Sequence, residues 1–374
     1  MAALRPAGLD RPAARPPEGG ADGNLIKPVL LTSSPGQLAL WLPAVESMAR
    51  AAGNVPALLD LARKNGSTWP RPGEGHTAIL WELLATVSAA DVAAGRVLEP
   101  HLDALAILSQ AGHPAVADGG AWGVFAAEGP GLRLEARADG DAFRLDGAKP
   151  WCSLAGVLDQ AVITAHTDDG GRAAFAVDLR HHGVTAEEPA WIARGLREIP
   201  SGTVHFSQVP ATPVGGAGWY LSRPGFAWGG MGVAACWLGG AIGVARDFRQ
   251  GLQAARDAGK EPDQVALANL GEVDRTVTAC LHSLARAADR IDQNTPSDGD
   301  PSPWSEAQRL RGTVAAAVER VLQLVGSARG PAPLAFDEPY AKRMADLALY
   351  VRQHHGQRDD AQLGALALKG DSQW

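Results

Sequence analysis

Between about residue 118 and residue 215 the spacing of apolar residues changes from helical to strand-like, and then it changes back. Few folds accommodate that order. Upstream, residues 36–65 and 77–112 read as helices, with Ile79, Leu80, Leu83, Leu84 and Val87 at helical spacing and Leu102, Leu105, Ala106 and Leu108 continuing it. The prolines and glycines of Trp69–Gly75 place a loop between them. The middle stretch holds short runs with partial alternation: Trp122–Ala126, Leu132–Ala138, Ala142–Leu145, Gln160–His166, Ala173–Leu179 and Thr203–Gln208. Asp139-Gly140-Asp141 between two of them signals a hairpin turn. Helical spacing returns after Gly225. Leu267, Leu270, Val273, Val277, Leu281, Leu284 and Ile291 form one stripe, and Leu310, Val314, Ala317, Val321 and Leu324 form another. Ser305-Glu306-Ala307-Gln308 reads as a capping box opening the second of these helices, Gln293–Pro303 as the loop before it, and Glu338–Gln353 as the last helix. The expected fold class is α+β. An N-terminal helical domain (25–117) precedes a middle antiparallel β-domain (118–215) and a C-terminal four-helix bundle (216–374).

The 374 residues are 46% hydrophobic and 20% charged, enough for two or three domains with cores of their own. The net charge of −7 leaves no electrostatic footprint for nucleic acid or an anionic membrane. Cys152, Cys236 and Cys280 lie too far apart for a zinc spacing, and they set up no disulfide framework; no metal site is expected. Residues 1–24, rich in Pro, Ala, Gly and Arg, read as a disordered tail rather than a secretory signal, which makes a cytoplasmic location the expectation. Phe226–Ala245 carries no charge and is long enough to span a membrane, yet six of its twenty residues are glycine. A helix buried on all sides, with glycines admitting close neighbours, is the preferred reading. No internal repeat is present.

Three segments carry a resemblance. Phe125-Ala126-Ala127-Glu128-Gly129-Pro130 is similar to a Leu-Thr-Glu-Pro segment. Asp139 to Ser153, closing as Asp146-Gly147-Ala148-Lys149-Pro150-Trp151-Cys152-Ser153, matches an Asp-Gly…Gly-x-Lys-x-Trp-Ile-Thr segment in order and spacing. Gly195-Leu196-Arg197, followed by Ser201–Pro210, matches a strand that leaves a β-domain for a helical bundle. Together with the element order, these make the chain resemble the acyl-CoA dehydrogenase family over roughly residues 36–368. The resemblance implies FAD held between β-domain and bundle. Trp151 would form an apolar wall for the isoalloxazine, and the Ser153 hydroxyl would lie near its N5. The backbone around Phe125 and Ala127 would face the pyrimidine end. Gln323, in Gln323-Leu324-Val325-Gly326, would meet the ADP half of a flavin held by a neighbouring subunit, so a homodimer or homotetramer is implied. Read without the motif, Trp151 is a β-domain core residue, Ser153 a turn residue and Gln323 part of a solvated helix face.

The chain also departs from the family's pattern. The Arg-x-x-Phe-Gly segment, whose arginine contacts the flavin pyrophosphate, is reduced to Arg256-Asp257-Ala258-Gly259-Lys260, so Arg256 is either a pyrophosphate contact or an exposed helix-end arginine. The Gly-x-Gly-Ser-Asp segment that lines an acyl-CoA channel is missing after Pro130. Where the family carries its Glu-Gly-Thr base, this chain has Gln353-His354-His355-Gly356-Gln357. Counting from Gly356 puts His355 at the base, and counting from Asp346 puts His354 there; Glu272, on an earlier bundle helix, is the alternative. Neutral imidazole can serve as a base, and imidazole is also a good general acid or base for oxygen chemistry, while paired histidines at a helix end are otherwise a solvated cap. The resemblance therefore implies a flavin oxidoreductase acting on a small molecule. Dehydrogenation of an acyl thioester such as an acyl-CoA leads. A flavin-dependent monooxygenase of the same fold follows, and a catalytically silent structural or binding member is third. The electron acceptor is left open.

Overall fold

The computed structural model describes residues 26–114, 119–140, 142–168, 170–188, 190–293, 301–372 and 374. The expected N-terminal tail and most of the 293–303 loop lie outside these. Four helices come first: α1 (Leu42–Arg50), α2 (Val55–Asn65), α3 (Thr77–Ala90) and α4 (Val92–Gln110). Seven strands follow: β1 (Trp122–Phe125), β2 (Leu134–Asp139), β3 (Ala142–Ser153), β4 (Gln160–Thr167), β5 (Arg172–Asp178), β6 (Val184–Ala186) and β7 (Ser201–Val214). The rest is helical: α5 (Trp219–Ser222), α6 (Pro224–Asp257), α7 (Gln264–Gln293), α8 (Pro303–Arg329), α9 (Pro331–Phe336), α10 (Glu338–Tyr350) and α11 (Gln357–Leu368). The α+β order read from the sequence is the order observed.

The strands pair in the order β1-β4-β2-β3-β7-β5, and a β4–β5 pairing closes the ring, so little edge is left open. The β2–β3 hairpin turns where expected, with Asp139 opposite Ala142 and Gly140 at φ +63°. The β-domain is mixed rather than wholly antiparallel, since β4 runs parallel to both β1 and β2. The hairpin between β1 and β4 brings the chain back in the same direction. β3 continues to Ser153, well past the Leu145 expected, because bulges after Leu145 and Lys149 break its alternation without ending its pairing to β7.

Three readings of the helical part need correction. The N-cap of α8 is Ser302, whose Oγ accepts from the Ser305 amide at 3.2 Å, with Pro303 opening the helix. Ser305 lies inside the first turn and donates to Asp371 at 2.7 Å, so it is not the cap of a capping box. The last predicted helix ends at Tyr350, with a 3₁₀ turn over Val351–Gln353. Gly356 then turns with φ +59°, and α11 follows, a helix with no buried apolar residue and only a short apolar face at Leu363, Leu366 and Ala367 to announce it.

The glycine-rich segment is the core of α6. Ala234, Ala235, Cys236, Trp237, Leu238 and Ala241 are fully buried, and 78% of the helix's apolar window lies inside the protein. Such a helix would be long enough to cross a membrane, but here it is wrapped by other helices. Gly239 shows why small residues are needed: a methyl group there would sit 2.3 Å from the Ala85 carbonyl oxygen of α3.

One ion-pair cluster ties the three segments together. Lys342 Nζ on α10 lies 3.1 Å from Asp91 Oδ2, 2.8 Å from Glu198 Oε1 and 2.5 Å from Asp346 Oδ2. Asp91 is the N-cap of α4, accepting from the Ala94 amide at 2.7 Å. Glu198 lies in the loop that feeds β7. Asp346 Oδ1 accepts from the Leu196 amide of that loop at 2.6 Å. The loop presses so closely on α10 that a side chain at Gly195 would meet the Ala345 carbonyl oxygen at 2.0 Å. The three carboxylates hold the Lys342 ammonium well above the usual lysine range, while burial raises Asp346. Removing the ammonium would leave three carboxylates, their oxygens within 4.8 Å of one another, without a cation. Lys342→Met is therefore expected to cost about 3–5 kcal/mol in urea denaturation at pH 8. It should cost less near pH 5, where protonation relieves the repulsion. A loss under about 1 kcal/mol at pH 8 would contradict the assignment.

Candidate functional site

The two bulges of β3 set up the first part of the site. At the second, Trp151 adopts a left-handed backbone (φ 59°), and its indole is 63% exposed. A tryptophan read only as β-domain core would be buried; this one is strained and turned outward. Its neighbours point the other way: Lys149 is buried on Glu128 (2.7 Å) and Thr164 (3.0 Å), and Cys152 is buried with its thiol pushed up to about 12. All three cysteines are free and buried with raised thiol pKa values, so none is poised as a nucleophile.

Ser153, half-buried, shares a 2.6 Å hydrogen bond with Ser201 at the start of β7. It also accepts from Arg96 Nη2 of α4 at 3.1 Å. Both of its partners are placed by the Lys342 cluster, through the α4 N-cap and the loop before β7.

Behind Arg96 lies a buried polar cluster. Arg96 Nη1 is 3.9 Å from Glu99 Oε2, and the guanidinium stands 5.8 Å from the Tyr350 ring centre. Tyr350 meets Trp237 of α6 edge-on at 6.3 Å. Arg311 of α8 lies over Trp237 at 4.7 Å and donates to the Gly230 and Gln353 carbonyl oxygens at 2.8 and 3.0 Å. Burial raises the Glu99 carboxyl to about 7, against opposing pulls from Arg96 and Arg311 and a push from Asp103. The Tyr350 and Ser88 hydroxyls face Cys236, Tyr350 also faces Glu99, and the Trp237 Nε1 is buried without a hydrogen-bond partner.

Arg311 leads to the histidines. The His354 side chain is largely buried. Its Nδ1 accepts from the Gly356 amide at 3.2 Å, and its Nε2 has no hydrogen-bond partner. Burial lowers its pKa, opposed by Asp359, so its ring is neutral at pH 7. His355 is exposed, with Nδ1 3.2 Å from Asp359 Oδ1.

The remaining predicted residues lie apart from this group. The Phe125 side chain is in the core at the end of β1; Ala127, just beyond, is exposed. Arg256, at the far end of α6, pairs with Glu261 at 3.5 Å. Twenty residues of helix separate it from Cys236, roughly 30 Å. Gln323 is exposed on α8 and accepts from Arg320 at 2.8 Å. Glu272 is bound by Arg320 at 2.8 Å, an ion pair between α7 and α8.

Sequence reasoning passed over Arg96 and Glu99. The available signal was two charges one turn apart in a run, 92–99, that is otherwise without charged residues. Arg311 carried no such signal, because Glu306 and Arg309 beside it make that end of its helix read as a solvated face.

Glu99 makes a pH dependence. In the fold it keeps its proton to about pH 7, against 4.5 for the free side chain. As pH rises between those values the unfolded chain releases a proton that the folded chain retains, so stability falls and stays lowered above 7. The full effect is about 3 kcal/mol. Glu99→Gln should remove this loss: near parity with the wild type at pH 5, but greater stability at pH 8, read by urea denaturation. A variant that loses as much stability between pH 5 and 8 as the wild type would contradict the reading.

Comparison with protein-family models and with curated protein sequences finds no match. Comparison with solved structures does. KijD3, solved in complex with FMN and a dTDP-linked amino-keto sugar, aligns with a TM-score of 0.75 at 17% identity, over 92% of this chain and 96% of that one. The dibenzothiophene monooxygenase TdsC from Paenibacillus sp. A11-2 aligns at 0.70 and 17%, over 89% and 97%. A variant of the steroid ACAD Tcur3481-Tcur3483 aligns at 0.69 and 18%, over 90% and 98%. At these identities the likeness is one of fold, and the chain has the fold of the acyl-CoA dehydrogenase-type flavoproteins.

Proposed function

We propose that this protein is a flavin-dependent oxidoreductase whose flavin ring lies against Trp151, with its reacting edge near Ser153. The observation that carries the reading is the exposed, backbone-strained indole at the β3 bulge, two residues from a hydroxyl that a guanidinium already addresses. The residues present fit an isoalloxazine: an exposed aromatic face and, two residues on, a hydroxyl for its polar edge. A bound flavin would supply hydride or electron transfer and, when reduced, reaction with dioxygen. Structures of similar fold include FMN complexes, so FMN and FAD are both candidates. Arg256 and Gln323, distant from Trp151 along their helices, are proposed as contacts to a flavin held by a neighbouring copy, in a homodimer or homotetramer.

Two reaction classes share this site. Dehydrogenation of an acyl thioester needs a base, and at the expected position the chain offers His354 and His355. Flavin-dependent oxygenation is the better supported of the two. The space between α4, α6, α8 and α10 is occupied by Arg96, Glu99 and Arg311, and charged groups are poor company for an acyl chain. In either class we assign His354, neutral and with an Nε2 that makes no hydrogen bond and lies 3.7 Å from Asp359 Oδ2, as the group that exchanges a proton, and His355 as its exposed neighbour.

The wild type should show flavin absorbance as purified or after refolding with FAD or FMN. Trp151→Ala should weaken that uptake at least about tenfold while leaving the fold intact. A wild type that takes up neither flavin would reject the proposal in favour of a silent, structural role. In the same preparations light scattering should give at least twice the 38.9 kDa chain mass. Turnover with a substrate should fall roughly 10²–10⁴-fold in His354→Ala if that residue exchanges the proton; an unchanged rate returns it to a structural cap.

A further inference from the structure

The cluster behind Ser153 holds more positive than negative charge. Two guanidinium groups, Arg96 and Arg311, face one carboxyl between them, Glu99, and burial keeps that carboxyl protonated up to about pH 7. The other groups facing it do not restore the balance. Asp103, one turn along α4, is set against Arg223; Cys236 of α6 and Tyr350 of α10 are neutral, with pKa values pushed up by burial; Ser88 of α3 is uncharged. Asp359 draws on Arg311 from the α11 side but is also engaged with His355. Arg96 itself holds only a long 3.9 Å contact to Glu99, and it turns a donor to Ser153 on the side where Trp151 is exposed. Buried charge is costly unless paired, and buried donors without acceptors are rare. Here both occur in one cluster, with Trp237 Nε1 unpartnered.

We propose that Arg96 is the substrate-recognising cation of this site, and that the site takes a small organic anion, bound through a carboxylate or phenolate oxygen beside the Ser153 hydroxyl. This rests on the flavin-site reading for what is done to the anion, but the recognition itself is a property of Arg96 and its neighbours. A guanidinium presents paired donors to such oxygens, and a charge-assisted bond in a desolvated site contributes more than a neutral one. The anion neutralises the surplus charge, and Glu99 sets the pH range in which that surplus exists. Below about 7 the carboxyl is neutral and Arg96 is free to bind an anion; above it the ionised carboxylate competes.

The test uses the full-length protein and benzoate, with acetate as a smaller probe and benzyl alcohol as a neutral control, followed by calorimetry and tryptophan fluorescence at pH 6 and 8. Benzoate or acetate should bind the wild type, more tightly at pH 6 than at pH 8, and benzyl alcohol should not. Arg96→Met should weaken anion binding roughly 10–100-fold. Arg96→Lys, which keeps the charge, should retain most of it and also controls for folding. Glu99→Gln should bind at pH 8 as well as at pH 6. The proposal is overturned if neither anion binds the wild type, if Arg96→Met binds as the wild type does, or if benzyl alcohol binds as tightly as benzoate. Flavin uptake is read separately by absorbance. A protein that binds flavin but no anion rejects this inference alone, and one that binds anions but no flavin rejects only the flavin reading.

Discussion

A single ammonium group fixes the relation between the three parts of the chain. Lys342 Nζ draws together the carboxylate that caps α4, the one in the loop that starts β7, and one from its own helix, all within 3.1 Å. Two of the three carboxylates have a second duty. Asp91 orients the first turn of α4, from which Arg96 projects one turn later. Asp346 holds the Leu196 amide, and with it a loop whose backbone sits against α10. Ser153 receives its two hydrogen-bond partners, Arg96 and Ser201, from the segments that Lys342 positions. An ion pair with four members is poor evidence for raw stability, because desolvation offsets most of the attraction. What it does here is join the N-terminal helices, the loop that starts β7 and the bundle at one point.

How much of this was legible in the sequence differs by level. The order of helical, strand and helical segments was legible because apolar periodicity is a local property, and the buried role of Phe226–Ala245 followed from its glycines. Trp151 and Ser153 stood out through motif order, and the structure places them side by side on one bulged strand. The parallel pairings of β4, the length of β3 and the N-cap of α8 were not legible, since bulges and competing serines break the patterns that such readings depend on. The charged cluster was hidden for a different reason. Arg96, Glu99, Arg311 and Tyr350 come from three helices far apart in the chain, and only the tertiary packing turns scattered charges into one group.

That cluster also separates the fold from its chemistry. The fold is shared with enzymes that oxygenate and enzymes that dehydrogenate, so it does not select a reaction. On the proposed reading, selection lies in the interior beside Ser153. An interior lined by two arginines and a carboxyl that stays protonated at neutral pH is suited to polar, charge-bearing molecules. In the proposed reaction, the lack of a carboxylate at 353–357 and the neutral His354 favour proton exchange at oxygen over removal of a thioester α-proton.

The central claim is that the flavin ring rests on the bulge of β3, framed by Ser153 and the start of β7. Hydrogen–deuterium exchange of the protein with and without excess FMN or FAD addresses it directly, because backbone protection reports where the ring sits, independently of turnover. Protection concentrated in peptides covering residues 149–154 and 201–206 is the expected result. Flavin binding that leaves those peptides unchanged and protects other regions instead would contradict the account.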